Sequence, residues 1–254
     1  MTPVRAFAWP NPLIRRAGTV AGTVGGTAAG LLAAGHLLPS VGTVPALRRR
    51  LLPELSGRSG SAQVALTFDD GPDPATTPLF LAELARLRLR ATFFVLGSRL
   101  VTAPELGRQI LAEGHELAVH GWLHRPHLLR APWRIEPELT RTVDQIRAVG
   151  GEPRFWRPPN GVLTGAGLLA ASRHRLRPVL WTVDGQDWTA RATPDTVLAR
   201  LRTGLAAGGT VLLHDSDVTS APGSWRSALG ALAPLAELCR DRGWPLGPLA
   251  EHWD

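Results

Sequence analysis

Apolar segments that resemble buried strands alternate with amphipathic, helix-like segments from about residue 62 to the end of the chain. The strand-like segments are 64–68, 91–96, 116–119, 178–183 and 210–213, and the helix-like segments are 78–89, 104–113, 136–149, 193–207 and 227–242. Such alternation is typical of a parallel sheet whose strands are connected by crossover helices. The sequence therefore predicts a barrel-like or open α/β domain, with reactive groups at the carboxyl ends of its strands.

The first 60 residues differ in composition from the rest of the chain. They contain seven Arg and a single acid, Glu54, so they carry nearly all of the chain's net charge of +7. Residues 17–38 have no formal charge and are long enough to span a bilayer as a helix, although Gly, Ala and Thr dominate them. We interpret residues 1–61 as a basic arm with a candidate membrane or export segment and a linker, and residues 62–254 as the folded domain. A flexible Gly-rich leader is the alternative for residues 17–38.

Two classes of site are excluded or disfavoured by composition. Cys239 is the only cysteine, so an intrachain disulfide and a four-cysteine metal site are both excluded. The basic arm has neither interleaved aromatic residues nor a nucleic-acid-binding motif, so we expect no nucleic-acid partner.

Two clusters of polar residues follow strand-like segments. The strand at 64–68 ends in Asp69-Asp70, two adjacent carboxylates that repel each other unless a cation lies nearby. After the third strand, His120 and His124 are four residues apart, a spacing that places both on one face if that turn is helical. One Asp and two His supply three ligands with open positions for water, as in a hydrolytic metal site.

Further polar residues follow other strand-like segments. Asp184 and Asp187 come after the strand at 178–183, and His214 comes directly after the strand at 210–213. Arg157 precedes two prolines that stiffen the backbone. Each has a structural interpretation, such as a surface charge, a turn cap or a hydrogen-bonded core residue. Their shared position at strand ends favours a common site.

These segments together resemble the NodB-homology polysaccharide deacetylases, carbohydrate esterase family 4. The matching motifs, in the family's order, are TFDDG at 67–71, HGWLH at 120–124, RPPNG at 157–161, DGQDW at 184–188 and LLH at 212–214. The resemblance covers residues 64–250. It implies a distorted (β/α)7-type barrel and a divalent metal, usually zinc, with cobalt or another transition ion as alternatives.

The resemblance also implies roles for residues at the first three motifs. Asp70, His120 and His124 correspond to the metal ligands. Asp69 corresponds to the general base that activates the attacking water, and Arg157 to the residue that orients Asp69.

The remaining roles follow from the other motifs. His214 corresponds to the general acid that protonates the leaving sugar amine, and Asp187 to the carboxylate that orients it. The backbone N–H of Asn160 would bind the oxyanion. Leu212 would line the slot for the acetyl methyl group, and Trp188 would form a wall of the sugar groove.

Two positions depart from the family pattern. Gly121 stands where the family usually has Ser or Thr, and Asn160 stands where it usually has Tyr. A backbone N–H is available from any residue except proline, so the oxyanion donor survives at 160. The lost aromatic ring makes the substrate less predictable than the reaction.

We therefore expect a metal-dependent hydrolase that removes acetyl groups from an N-acetylated glycan, such as peptidoglycan or chitin-like polymers. Three alternatives stay open: hydrolysis of a non-sugar amide, a non-catalytic metal- or glycan-binding homologue, and a membrane-tethered interaction protein that acts through its arm. The arm favours a membrane-anchored or extracytoplasmic location, with a cytoplasmic one as the alternative. The polymer, the native metal and the oligomeric state do not follow from the sequence.

Overall fold

All strands of the central sheet are parallel. The computed structural model describes residues 30, 33–44, 48, 50 and 54–253. Its strands are β1 (Val64–Asp69), β2 (Thr92–Leu96), β3 (Glu116–Gly121), β4 (Phe155–Trp156), β5 (Arg177–Pro178), β6 (Val183–Asp184), β7 (Thr210–His214) and β8 (Leu246–Gly247). Their spatial order is β5-β4-β3-β2-β1-β7-β6, and β8 also pairs with β1. This curled sheet confirms the predicted barrel-type α/β fold.

Helices connect the strands. They are α1 (Thr77–Leu87), α2 (Gly97–Thr102), α3 (Pro104–Ala112), α4 (Pro132–Ala148), α5 (Gly165–Arg173), α6 (Pro194–Gly204) and α7 (Trp225–Asp241). The predicted start of α6 is confirmed, because Thr193 caps it through its side chain and Pro194 occupies the first turn. The Gly/Ala-rich helix α5 and the short α2 were not predicted, since their sequences have weak helical periodicity.

The two faces of β1 pack into different apolar clusters. Val64, Leu66 and Phe68 belong to the large cluster beneath the helices. Ala65 belongs to a smaller cluster on the inner, concave face of the curl. Because side chains alternate along a strand, Asp69 lies on the same face as Ala65. The carboxyl end of β1 therefore directs a carboxylate into the curl.

The predicted strand at 178–183 is divided into β5 and β6, which lie at opposite edges of the sheet. The chain between them crosses the gap in the curl. There the carbonyls of Val179 and Leu180 accept hydrogen bonds from the Arg157 guanidinium rather than from a neighbouring strand. A single strand was the wrong prediction because an apolar segment does not reveal which partner its backbone bonds to.

Part of the segment predicted as a linker packs against the domain. The carbonyl of Leu55 accepts a hydrogen bond from the Leu180 N–H at 2.8 Å. The carbonyl of Gly57 accepts one from the Thr210 hydroxyl at 2.7 Å. The division of the chain at residue 61 stays a prediction. Most of the candidate membrane segment 17–38 lies outside the described residues, and none of the described helices is long and apolar enough to cross a membrane.

Candidate active site

A pocket of about 240 Å³ opens at the carboxyl ends of β1, β3 and β7. Its lining residues are Asp69, Asp70, His120, His124, Asn160, Gly161, Trp181, Trp188, Leu212, His214, Thr219 and Ser220. Eight of the ten predicted site residues are among them. The other two, Arg157 and Asp187, are buried directly behind the wall and contact Asp69 and His214, respectively.

The two adjacent carboxylates separate because the chain turns between them. Asp69 is the last residue of β1, whereas Asp70 has a φ of 79°. Asp adopts this left-handed region more readily than most residues with a side chain. As a result, Asp70 Oδ1 lies 3.4 Å from His120 Nε2 and 3.6 Å from His124 Nε2.

The two histidines meet through a different geometry from the one predicted. His120 lies in β3 and His124 lies in the bend that follows it, so no helical turn is involved. The strand turns at Gly121, whose φ of 146° is a value that residues with a side chain rarely adopt. The two rings come to a centroid separation of 5.2 Å. Gly121 thus allows the backbone turn that brings the two imidazole rings together.

The tautomer of His120 is set by the backbone. Its Nδ1 lies 2.8 Å from the carbonyl oxygen of Arg157, which can only accept, so Nδ1 carries the proton. In the neutral imidazole, which is the form that binds a metal, Nε2 then directs a lone pair towards Asp70 Oδ1. That oxygen is buried and has no hydrogen-bond partner among the described residues. Two lone pairs that face each other at 3.4 Å are stabilised by a cation between them.

The charges and the donor set both fit a metal ion. Burial alone would raise the pKa of Asp70, but the nearby His120, His214 and His124 outweigh it and hold that pKa below its usual range. The carboxylates of Asp69 and Asp70 raise the pKa of His120 despite its burial. The ligand atoms of Asp70, His120 and His124 lie within 4.8 Å of one another. One carboxylate and two imidazoles are ligands that suit zinc and other transition ions.

Arg157 holds Asp69 in one orientation. The guanidinium is fully buried and donates to Asp69 Oδ1 at 2.6 Å and to the Thr67 hydroxyl at 2.9 Å. It also lies 4.0 Å above the ring of Phe94. Burial lowers the pKa of Arg157, but a guanidinium stays charged in proteins. Asp69 therefore keeps a permanent cation at Oδ1, while Oδ2 faces His120 Nε2 at 3.8 Å.

His214 lies beside Asp69 on the neighbouring strand. The two residues are register partners of the parallel pair β1 and β7. His214 Nδ1 lies 3.0 Å from Asp187 Oδ1, and the His214 backbone N–H donates to Asp187 Oδ2 at 2.7 Å. Burial would lower the pKa of His214, but the charge and hydrogen bond of Asp187 raise it to about 10. His214 is therefore protonated at neutral pH.

The three predicted substrate-contact residues line the same pocket. Asn160 has a φ of 58°, a left-handed conformation that Asn adopts more readily than Tyr. Leu212 is buried in β7, and the ring of Trp188 packs edge-on to His214 at 5.4 Å. All three residues lie at the pocket, as their predicted roles require.

Four further residues line the pocket without having been predicted as site residues, and one of them, Gly161, ends the RPPNG motif. Trp181 begins the WTVDGQDW segment, so its proximity to the fourth motif was a usable signal. Thr219 and Ser220 lie in the loop after β7, where no motif marks them. The Thr219 hydroxyl donates a hydrogen bond to Asp70 Oδ2.

Comparison with known proteins identifies the family. The polysaccharide deacetylase family profile matches residues 56–179. The chitooligosaccharide deacetylase of Bradyrhizobium sp. is 37% identical over 205 residues, which cover 76% of this chain and 91% of that protein. The chain therefore belongs to the polysaccharide deacetylase family, carbohydrate esterase family 4.

Other relatives have the same domain within different proteins. The peptidoglycan-N-acetylmuramic acid deacetylase PdaC of Bacillus subtilis is 39% identical over 160 residues, but the match covers only 33% of its length. The PdaC structure superposes with a TM-score of 0.66 at 31% identity, covering 76% of this chain and 90% of that chain. A mutant of BA3943, described as a family 4 pseudoenzyme with restored activity, superposes with a TM-score of 0.69 at 26% identity, covering 77% of this chain and 68% of that chain.

Proposed function

We propose that this protein is a metal-dependent deacetylase of N-acetylated glucosamine oligomers or polymers. One observation carries the proposal: a possible metal-ligand triad, a second carboxylate and a histidine paired with a buried carboxylate converge in one pocket at adjacent strand ends. Hydrolysis of an acetamide requires a base for water, stabilisation of an oxyanion and an acid for the leaving amine.

Asp70, His120 and His124 would hold the metal, with zinc as the first candidate and cobalt or another transition ion as the alternative. When bound, such an ion lowers the pKa of the attacking water and polarises the acetyl carbonyl. The sequence resemblance and the donor set support this assignment, and a metal analysis of the purified protein will test it.

Asp69 would act as the general base. Arg157 keeps Oδ1 occupied and fixes the plane of the carboxylate, which leaves Oδ2 to accept a proton on the pocket side. The base and the ligand carboxylate of Asp70 thus have separate tasks although they are adjacent in sequence.

His214 would act as the general acid for the leaving nitrogen. Asp187 keeps its imidazole protonated and oriented through Nδ1, so Nε2 is the atom that delivers the proton. The backbone N–H of Asn160 would donate to the oxyanion. Attack of water forms a C–O bond at the acetyl carbon as Asp69 takes a proton from the water, and the C–N bond then breaks as His214 protonates the nitrogen, giving acetate and a free amino sugar.

The pocket walls suit one sugar unit of a longer glycan. Its volume of about 240 Å³ is below the range of roughly 300–1,000 Å³ that accommodates drug-sized ligands. Leu212 would contact the acetyl methyl group, and the half-buried Trp188 would stack on a sugar face. Chitooligosaccharides are our first choice of substrate because this chain spans 91% of the Bradyrhizobium chitooligosaccharide deacetylase.

Peptidoglycan is the second substrate to test, since PdaC is a peptidoglycan deacetylase that shares this domain. A substrate of that kind would agree with an extracytoplasmic location, which the basic arm and the segment 17–38 favour. We propose this location together with the function, and fractionation of cells that express the full chain will test it.

Acetate release provides the decisive test of the function. The full-length protein is incubated with chitotetraose or with N-acetylated peptidoglycan fragments, and acetate is quantified. We expect release that a chelator abolishes and added zinc or cobalt restores. Release that persists after complete metal removal would contradict the metal-dependent reaction. A metal-replete protein that releases no acetate from either substrate would favour a non-catalytic homologue or a different amide.

A further inference from the structure

Arg48 of the basic arm is turned into the folded domain. The sequence places it in an Arg-Arg-Arg run beside the candidate membrane segment, where three solvated charges would be expected. In the structure, however, only 4% of Arg48 is exposed, whereas Arg50 is exposed. A buried guanidinium requires hydrogen-bond partners in fixed positions. Arg48 therefore marks a specific contact between the arm and the domain.

The partners of Arg48 connect the arm to the pocket wall. Its Nε donates to the Ser56 hydroxyl at 3.1 Å, and Nη1 donates to the carbonyl of Gly42 at 3.3 Å. Its Nη2 donates to the carbonyl of Trp181 at 3.0 Å, and the guanidinium carbon lies 5.5 Å from the centroid of the Trp181 ring. Two of these contacts are within the arm, and the others are to a residue that lines the pocket.

Trp181 in turn contacts the catalytic pocket at two points. A Cβ built on Gly161 would lie 2.7 Å from the Trp181 ring, so the ring packs directly on the backbone of the turn that presents Asn160. The guanidinium carbon of Arg157 lies 5.8 Å from the centroid of the same ring. The indole is therefore held between an arm residue and two parts of the site.

We propose that Arg48 is a positioning residue, which holds Trp181 against Gly161 and so completes one wall of the substrate pocket. The inference rests on the proposed deacetylase function. It assigns a functional role to a residue of the arm, which lies before the family match at 56–179. The arm would then shape the pocket in addition to any role at a membrane.

The test compares three single variants of the full chain with chitotetraose as substrate. Arg48→Met keeps the bulk of the stem and removes every donor, and we expect it to raise KM about three- to tenfold, the equivalent of one hydrogen bond of ordinary strength. We expect kcat to stay within about twofold, since the chemical groups are untouched. Arg48→Lys should recover part of the loss, and Arg50→Ala, which removes an exposed charge from the same segment, should have no effect.

A double variant separates positioning from a general structural role. If Arg48 acts through the indole, Arg48→Met should add nothing to the KM of Trp181→Leu. An Arg48→Met protein with the wild-type KM would overturn the proposal. The proposal would also be overturned if Arg48→Met raised KM by the same factor in the Trp181→Leu chain as in the wild-type chain. Equal losses of kcat in the Arg48→Met and Arg50→Ala variants would do the same.

A spectroscopic measurement keeps the inference independent of turnover. The chain is labelled with 5-fluorotryptophan, and the Trp181 resonance is identified by its absence from a Trp181→Phe variant. We expect Arg48→Met to shift or broaden this resonance and Arg50→Ala to leave it in place. An unmoved resonance would overturn the role of Arg48. Failure of the wild-type chain to release acetate would instead contradict the proposed function.

Discussion

Two acid–base pairs lie side by side at the pocket, each with one member in its lining and one buried behind the wall, but their cations differ. Asp69 is paired with Arg157, and His214 is paired with Asp187. Arg157 is permanently charged and fully buried, and it also bonds to Thr67 and to two backbone carbonyls. His214 can lose its proton, and its side chain is 13% exposed.

This difference explains how the same kind of ion pair can support opposite chemical tasks. A carboxylate in which one oxygen accepts a hydrogen bond from a permanent cation is held in one orientation, and its other oxygen is free to accept a proton. An imidazolium beside a carboxylate retains its proton to high pH and is available as an acid. The sheet places the two pairs on adjacent parallel strands, with Asp69 and His214 in register. The proposed separation of tasks therefore depends on which member of each pair lines the pocket, the carboxylate in one pair and the imidazole in the other.

The largest effect is expected from Asp69→Asn, which removes the proposed base and the charge partner of Arg157. We expect kcat to fall about 10³-fold, within the range for general acid–base catalysis. Removal of one partner from a buried ion pair destabilises a protein by about 3–5 kcal/mol, and the remaining amide oxygen places this variant near the lower end. Acetate release and urea denaturation measure the two effects. Metal content should be unchanged, because Asp70, His120 and His124 are intact, and a fully active variant would exclude Asp69 as the base.

A smaller effect on both kcat and the free energy of unfolding is expected from His214→Gln. We expect kcat to fall about 10²-fold through loss of the proposed general acid. The free energy of unfolding should fall by only about 1 kcal/mol, because the residue 214 backbone N–H still bonds to Asp187 and the Gln side chain retains an amide N–H as a donor. Acetate release measures the change in kcat, and urea denaturation measures the change in stability. If this variant were as unstable as Asp69→Asn, the contrast between a buried structural cation and a titrating one would be wrong.

The next effect concerns pH. In the wild-type protein the pKa of His214 is raised to about 10, so the acid form and its stabilising interaction are present at neutral pH and are lost as the pH rises through about 10. Asp187→Asn removes the charge that raises this pKa. We therefore expect the basic limb of the kcat/KM profile to move to lower pH, with about a tenfold loss at pH 9 and less at pH 6.

The matched control for this change is Asp184→Asn, which alters the other acid of the same motif. Asp184 accepts a hydrogen bond from the Trp181 indole and not from His214. The basic limb of the kcat/KM profile of the Asp184→Asn variant should coincide with that of the wild-type protein. If the basic limb of the kcat/KM profile did not move in the Asp187→Asn variant, a group other than Asp187 would set the pKa of His214.

Much of this site could be predicted because its residues occupy local sequence positions that determine their location. Asp69 and His214 each end a buried strand, and parallel strands bring such ends to one edge of a sheet. The location therefore follows from the hydrophobic pattern, and the resemblance of the five motifs supplied the roles.

The unpredicted features depend on contacts between distant segments. The path of residues 179–182 across the gap is set by the Arg157 guanidinium, which is 22 or more residues away in sequence. The histidine pair is brought together by the backbone at Gly121 rather than by a helical turn. The burial of Arg48 depends on the carbonyl of Trp181, 133 residues later. Periodicity reports local structure and contains no information about such partners.

The smallest effect is expected at Asp70, which lies between the two pairs. The hydroxyl of Thr219 donates to Asp70 Oδ2, and this bond leaves Oδ1 to face His120 and His124. Residues that orient a ligand in this way typically contribute 10- to 100-fold in metal affinity, and the exposed position of Thr219 places it near the lower limit. We therefore expect Thr219→Val to weaken zinc binding about tenfold in competition with a fluorescent chelator.

The conservative variant distinguishes the hydroxyl from the shape of the side chain. Thr219→Ser retains the donor and should bind zinc as tightly as the wild-type protein, and Ser220→Ala controls for a change in the same loop. At saturating zinc, Thr219→Val should have nearly the wild-type kcat, because Asp69, Arg157 and His214 are unchanged. Equal zinc affinities of the Val and Ser variants would show that Asp70 is oriented by the turn at residue 70 alone. The two pairs would then be separated by backbone geometry, without any contribution from the loop after β7.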